Sequence, residues 1–269
     1  MIIDSRYEVL ESLGTGVWAT VYKVRDIRTD KQYALKYFQQ ISATELYEKF
    51  TPEDMHHITK IEHPNLVQVI DFGNIGDHIY YICEYFEGRS LKHFTFKPNQ
   101  IDLFYELIVQ VCYALNALHS HGIYHKDLKP ENILYRMDEN GLTVKVLDFG
   151  FTKVTLQEKN RHQASSLPYI APEIFLGEDA VKASDFYSLG VILYWLTTGS
   201  YPFSLDAISS LISGKQLHFF PKLPRELNSA IPIELAMFLH NFLRKNPEER
   251  FANAGLIIQF INNIQLKRF

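Results

Sequence analysis

The 269-residue sequence predicts an α+β protein with a β-rich N-terminal lobe joined to an α-rich C-terminal lobe. Two observations carry that prediction. Residues 6 to 85 are mainly short runs of β-branched and aromatic residues bounded by Gly or charged turns, as strands are. From about residue 99 the apolar period changes to that of helices. No internal repeat or low-complexity linker interrupts these regions. One bilobal domain is expected, with residues 1–83 in the first lobe, a hinge over 84–88 and residues 89–269 in the second.

Tyr7 to Leu13, Thr20 to Arg25 and Gln32 to Phe38 are expected as strands. A helix starts near Thr51-Pro52, with Thr51 as N-cap, Pro52 in the first turn and acidic Glu53 and Asp54 following. His63-Pro64-Asn65 ends it, and two strands follow, Leu66 to Phe72 and His78 to Glu84. Phe104, Leu107, Ile108, Val111, Leu115 and Leu118 then recur at helical spacing, and Gly122 supplies a stop. Asp185 to Thr198, closed by Gly199, reads as an apolar helix, with two more over Ile233 to Leu243 and Gly255 to Ile264.

Bulk composition narrows the function classes. Hydrophobic residues at 46% and charged residues at 22% belong to an ordered soluble protein. The net charge of −4, with Lys and Arg scattered, offers no footprint for nucleic acid or an anionic membrane. Cys83 and Cys112 are far apart and in no CxxC arrangement, which disfavours a disulfide framework or a cysteine zinc site and fits a reducing compartment. The N-terminus lacks the apolar run of a signal peptide, and the apolar stretch from Leu189 to Leu196 is too short to span a bilayer. A cytoplasmic location follows as the expectation.

Three motifs carry chemistry. Leu13-Gly14-Thr15-Gly16-Val17-Trp18-Ala19-Thr20-Val21 is glycine-rich and lies between two strands. Such glycines let backbone N–H groups approach phosphates, although a tight β-turn explains two glycines equally well. In Tyr33-Ala34-Leu35-Lys36, strand alternation puts Ala34 and Lys36 on one face, with room for a flat ring and an ammonium group that can reach phosphate oxygens. His125-Lys126-Asp127-Leu128-Lys129-Pro130-Glu131-Asn132 presents a carboxylate and, five residues on, a carboxamide; Asp148-Phe149-Gly150 follows an apolar strand over Val144 to Leu147. Phosphoryl transfer from ATP needs a base for the acceptor hydroxyl, oxygen ligands for Mg²⁺ and fixed positive charge on the phosphates.

These motifs, in this order, resemble the signature set of the protein kinase family, and the resemblance covers nearly the whole chain. It implies ATP and Mg²⁺ as cofactors. Gly14 to Val21 would cover the phosphates and Lys36 pair the α- and β-phosphates. Asp127 would be the catalytic base and Lys129 would neutralise the moving γ-phosphoryl group. Asn132 and Asp148 would ligate the metal. Ala171-Pro172-Glu173 resembles the APE motif, Asp185 the buried aspartate that braces the catalytic loop, and Arg250 the arginine that pairs with Glu173. Cys83 falls at the gatekeeper position; the Glu84 carbonyl and the Phe86 N–H would face adenine. Leu13, Val21, Ala34 and Leu134 would sandwich the ring, and Ser90 stands where many relatives carry a ribose-binding acid. Lys129, and Ser166 as the hydroxyl bridging it to Asp127, imply protein substrates with Ser or Thr acceptors. The domain is expected to be monomeric and part of a longer regulatory protein.

The sequence departs from the family pattern at four places. The third loop glycine is Ala19. The arginine before the catalytic aspartate is Lys126, which keeps the charge but loses the bidentate fork, and this weakens the expectation of control by phosphorylation at Thr155, Ser165 or Ser166. The acid paired with Lys36 is Asp54, with Glu53 next and Glu48 third; these acids also complement the N-terminal dipole of their helix. The Asp54 frame places Ile58, Val69, His125 and Phe149 in the stacked spine of an assembled kinase. Finally, Ser165-Ser166 stands where Gly-Thr is common.

Two rival functions are a nucleotide-binding pseudokinase or scaffold, which draws on Ala19, Lys126 and the unsettled acid, and a small-molecule kinase, disfavoured by the APE motif, Asp185 and Arg250. His119, His121 and His125 end a helix and enter the catalytic loop, which favours packing roles over a metal cluster.

Overall fold

β-Branched and aromatic runs near the N-terminus assemble into a six-stranded antiparallel sheet in the computed structural model, which describes residues 1–16, 19–42, 51–149, 166–204, 206, 208 and 221–266. The described residues fall into two units that part between Glu87 and Gly88.

In the first unit, β1 (Ile2–Ile3), β2 (Tyr7–Thr15), β3 (Ala19–Asp26), β4 (Gln32–Ser42), β5 (Val69–Ile75) and β6 (His78–Glu84) lie in the order β1-β2-β3-β4-β6-β5. Ile3, Tyr7, Val24, Leu35, Tyr80 and Ile82 form a core on one face of this sheet. Alternation works as the sequence suggests: Leu35 is buried in that core, while its neighbours Ala34 and Lys36 are only half-buried. The ladder pairs Ala34 with Cys83 and Lys36 with both Val21 and Tyr81. A carboxylate secures the start of the sheet, where Asp26 accepts from Arg6 Nε at 3.2 Å, Arg6 Nη2 at 2.8 Å and the Arg28 N–H at 2.9 Å. The Arg6 hydrogen bond is the main reason that the Asp26 carboxyl is held down to about 2.

Strand β1 is not visible in the sequence, because two residues are too few to show alternation. It is folded back by Asp4 and Ser5, both with positive φ (50° and 51°), and Tyr80 donates its hydroxyl proton to Asp4. Strand β5 starts at Val69 rather than Leu66. The turn after His63 continues to Leu66, whose N–H bonds to the His63 carbonyl at 3.0 Å. Leu66 and Val67 are buried all the same, so their apolar character reports packing rather than pairing.

Helix α1 (Pro52–Thr59) has Thr51 as N-cap, Pro52 in its first turn and a complete capping box with Asp54. It ends at Thr59, earlier than His63-Pro64-Asn65 suggests.

The second unit contains a small sheet of β7 (Arg89–Ser90), β8 (Ile133–Asp138) and β9 (Gly141–Val146), with β8 central. Its helices among the described residues are α2 (Ile101–Ser120), α3 (Pro172–Phe175), α4 (Lys182–Thr198), α5 (Pro224–Leu227), α6 (Ile233–Phe242) and α7 (Ala254–Leu266). The apolar stripe of α2 is buried, and this helix packs on α7 and β9. With the turn before it (Pro98–Ser120), α2 is long and apolar enough to cross a membrane, but it serves here as a core helix. Gln110 fastens it to β9 by accepting from the Val144 N–H at 2.8 Å and donating to the Leu142 carbonyl at 2.7 Å.

Helix α4 begins at Lys182, three residues before the expected start, because Ser184 Oγ accepts from the Val181 N–H at 3.1 Å and caps it. Gly199 closes it in the left-handed region at φ 72°. The helix is buried nearly all round, and at Gly190 it passes so close to α6 that a Cβ would lie 2.3 Å from Phe242 Cβ. Gly190→Ala is therefore expected to lower unfolding stability by about 1–3 kcal/mol through overpacking. Urea denaturation measures this, and an unchanged midpoint would contradict the close approach.

Candidate active site

The chemistry-bearing loop of the second unit hangs on one buried carboxylate. Asp185, in the first turn of α4, is 1% exposed. Its Oδ1 accepts from the Lys126 N–H at 2.9 Å; its Oδ2 accepts from the His125 N–H at 2.9 Å and His119 Nε2 at 2.8 Å. Lys126 has φ 67°, a region that side-chain-bearing residues rarely adopt, so the two backbone bonds stabilise a strained turn. Each of the three histidines has its own partner. His119 Nε2 donates to Asp185, His121 Nδ1 donates to the Ala117 carbonyl and His125 Nε2 donates to the Leu147 carbonyl, each at 2.8 Å. His125 Nδ1 then accepts from the Asp127 N–H at 3.4 Å, which fixes the Nε2–H tautomer.

That turn presents Asp127. Its Oδ2 lies 2.8 Å from Lys129 Nζ and 3.2 Å from Asn132 Nδ2. Asn132 Nδ2 also donates to the Asp127 carbonyl at 2.8 Å, and Lys129 Nζ donates to Ser166 Oγ at 3.0 Å. Asp127, Lys129, Asn132 and Ser166 thus form one connected network, while Asp127 Oδ1 takes part in none of these bonds. A 3₁₀ turn over Pro130–Asn132 sets the spacing, and the Leu147 N–H bonds to the Asn132 carbonyl at 2.9 Å, joining the end of β9 to the loop. Asp148 follows at φ 59°, half-buried, and Phe149 is 1% exposed.

A divalent metal fits this donor set. The Asn132 amide nitrogen is committed to Asp127, which leaves its carbonyl oxygen as the ligating atom, and Asp148 supplies a carboxylate. Hard oxygen ligands of this kind suit Mg²⁺.

Behind the loop, Arg250 makes a two-pronged ion pair with Glu173, with both Nη–Oε distances at 2.8 Å. Arg250 also donates to the carbonyls of Ala183, Arg244 and Lys245, so all three of its nitrogens are used. Ser184, which no motif flags, donates to Glu173 Oε1 at 2.6 Å. Burial alone would raise the Glu173 carboxyl, but the bonds from Arg250 and Ser184 outweigh it and hold the group below its ordinary value. Ser90 donates to the Pro130 carbonyl at 2.9 Å and accepts from the Lys92 N–H at 3.2 Å. It therefore ties β7 to the 3₁₀ turn. Leu134 pairs with Ser90 and with Lys145 and is half-buried.

In the first unit, the glycine-rich motif is the tip of the β2–β3 hairpin. Gly14 pairs with Val21, Thr15 with Thr20, and the Gly16 N–H bonds to the Ala19 carbonyl at 2.9 Å. Leu13 is 44% exposed and Val21 half-buried. Lys36 Nζ lies 5.8 Å from the centroid of the Phe38 ring. Cys83 and Phe86 are buried, and the Glu84 N–H bonds to the Gln68 carbonyl at 2.9 Å. Asp54 accepts from the Thr51 N–H at 3.0 Å and the Thr51 hydroxyl at 3.1 Å, so its carboxylate caps α1. Glu53 is exposed. Ile58 and Val69 are buried in the first unit, as are His125 and Phe149 in the second. Val17, Trp18, Glu48, Gly150, Thr155 and Ser165 lie outside the described residues.

A family model described as protein kinase domain matches residues 7–261. The chain is 31% identical to a probable serine/threonine-protein kinase of Clostridium acetobutylicum, covering 98% of this chain and 40% of that protein. It is also 31% identical to the serine/threonine-protein kinases PrkC of Bacillus subtilis and PknB of Mycobacterium leprae, covering 94% of this chain and 39% and 42% of theirs. The chain thus spans about two-fifths of the length of these relatives.

The Glu173 pair has a pH signature. A carboxyl held below its ordinary value of 4.5 stabilises the fold above that pH, and the contribution is lost as pH falls through its lower folded value. Glu173→Gln is expected to cost about 3 kcal/mol at neutral pH, because Arg250 stays buried without its counter-charge. The gap from wild type should narrow steadily below pH 4.5 in chemical denaturation. A gap independent of pH would contradict the assignment.

Proposed function

The chain belongs to the protein kinase domain family, and we propose that it transfers the γ-phosphoryl group of ATP to Ser or Thr hydroxyls of protein substrates. The observation that carries this reading is the network of Asp127, Lys129, Asn132 and Ser166. One oxygen of the base is pinned by two donors, and the other remains for the acceptor hydroxyl.

Asp127 Oδ1 takes the proton of the acceptor hydroxyl as its oxygen bonds to the γ-phosphorus and the bond from phosphorus to ADP breaks. Lys129, held between Asp127 and Ser166, keeps positive charge beside the transferring group. Mg²⁺, when bound by Asn132 and Asp148, supplies charge neutralisation on the phosphates. Leu13, Val21, Ala34 and Leu134 offer apolar surface to adenine, the backbone of Glu84 and Phe86 its polar contacts, and Lys36 meets the phosphates, with Gly14, Thr15 and Gly16 over them. Asp54 is the acid assigned to Lys36, with Glu53 as the alternative, although the same Asp54 carboxylate caps α1. Lys126 has no planar fork, which favours a site assembled without a phosphorylated loop. Two buried thiols outside any disulfide support a reducing, cytoplasmic setting for this domain.

Asp127→Asn tests the reading. The variant should bind Mg·ATP as wild type does and lose transfer to a generic Ser/Thr acceptor by about 10²–10⁴-fold, the usual contribution of a general base. Full transfer by the variant would contradict the role of Asp127 as the base, and nucleotide binding without transfer by wild type would favour the scaffold reading.

A further inference from the structure

Gln68 belongs to none of the signature motifs, yet it joins three elements of the first unit. Its side-chain Nε2 donates to the Thr59 carbonyl at 2.7 Å and the Val69 carbonyl at 3.1 Å, so both amide protons are used. Thr59 is the last residue of α1, and its carbonyl is among those that a helix leaves without an internal partner. The main chain of Gln68 meets Glu84 twice. Its carbonyl accepts from the Glu84 N–H at 2.9 Å, and its N–H donates to Glu84 Oε2 at 3.3 Å. These contacts prolong the β5–β6 ladder past its last strand pair, Val69 with Cys83, and a side-chain carboxylate takes one of the acceptor positions. On the other side, Lys23 Nζ sits 4.3 Å over the Tyr85 ring and 3.7 Å from Glu11 Oε1. The end of β6 is therefore held by the main chain of Gln68 on one side and by the Lys23 side chain on the other, and the Gln68 side chain also holds α1.

We propose that Gln68 is a positioning residue that couples the C-terminal end of α1 to the backbone at Glu84, so that a shift of the helix changes how the chain binds nucleotide. The side chain of Gln68 holds α1 through the Thr59 carbonyl, and the main chain of the same residue holds Glu84. Any rotation of α1 that moves the Thr59 carbonyl must break that bond or drag Gln68, and with it both contacts to Glu84. The proposal rests on the nucleotide-binding reading above, because it assigns the backbone at Glu84 to adenine.

The test separates donor chemistry from size and from general destabilisation. Gln68→Glu keeps the shape but cannot donate to the two carbonyls, whereas Gln68→Lys can donate to both. Hydrogen exchange and equilibrium Mg·ATP binding are measured on all three proteins. Gln68→Glu should speed exchange in two separated segments, residues 56–61 and 82–87, leave the β2–β3 hairpin unchanged and weaken Mg·ATP binding by about tenfold. Gln68→Lys should stay near wild type in both readouts. Faster exchange confined to β5, uniform acceleration across the sheet, unchanged nucleotide affinity or equal loss in both variants would each overturn the coupling. A wild type that binds no nucleotide overturns the functional reading and leaves the paired exchange response to decide whether the helix and Glu84 are linked.

Discussion

The Asp185 carboxylate is the constraint on which the second unit's chemistry depends. Taking a carboxylate out of water costs several kcal/mol, and that cost is offset only when its lone pairs are well satisfied. Here two backbone N–H groups and one imidazole N–H do so. The two backbone bonds hold Lys126 in its strained conformation, and the strain turns the chain so that Asp127 follows His125 in the required direction. A helix buried nearly all round is a suitable platform for such an anchor, because its position is fixed by packing on several sides.

The same helix anchors a second network. Ser184, one residue before Asp185, caps α4 and also bonds Glu173, which Arg250 grips with both prongs of its guanidinium. Ser188, one turn on, donates to the Tyr169 carbonyl at 2.7 Å and so fixes the 3₁₀ turn Leu167–Tyr169 that follows Ser166. Through Ser166, Lys129 and Asp127 the two networks meet. Three polar side chains on one apolar helix thus arrange backbone segments far apart in sequence, which is what a reaction requiring exact placement with little covalent chemistry by the protein demands.

How much of this was legible in the sequence depends on the range of each interaction. The strand His78–Glu84 and the capped start of α1 are readable because their signals are local: a continuous run of apolar and aromatic residues, or Thr-Pro-Glu-Asp in sequence. The family motifs located Asp127, Asn132 and Asp148 and implied the brace at Asp185 and the Glu173–Arg250 pair. Of the small sheet, the end of β9 is legible as the apolar run from Val144, whereas β7 has two residues and β8 depends on its neighbours for pairing. His119 carries no sequence mark of its partner 66 positions away, and Gln68 looks like any polar residue beside a strand. The pairing acid for Lys36 is a further case of this kind. The sequence frame selects Asp54, whereas local geometry also gives that carboxylate the cap of α1.

The buried carboxylate of Asp185 sets the geometry in which Asp127 acts. Asp185→Asn tests it directly, because the amide keeps the size but has one acceptor oxygen where three donors need two. Single-turnover transfer by the folded variant, saturated with Mg·ATP, should fall by about 100-fold, the effect of a misplacement near 1 Å. A rate within about threefold of wild type would contradict the account, since it would mean the loop holds its geometry without the anchor.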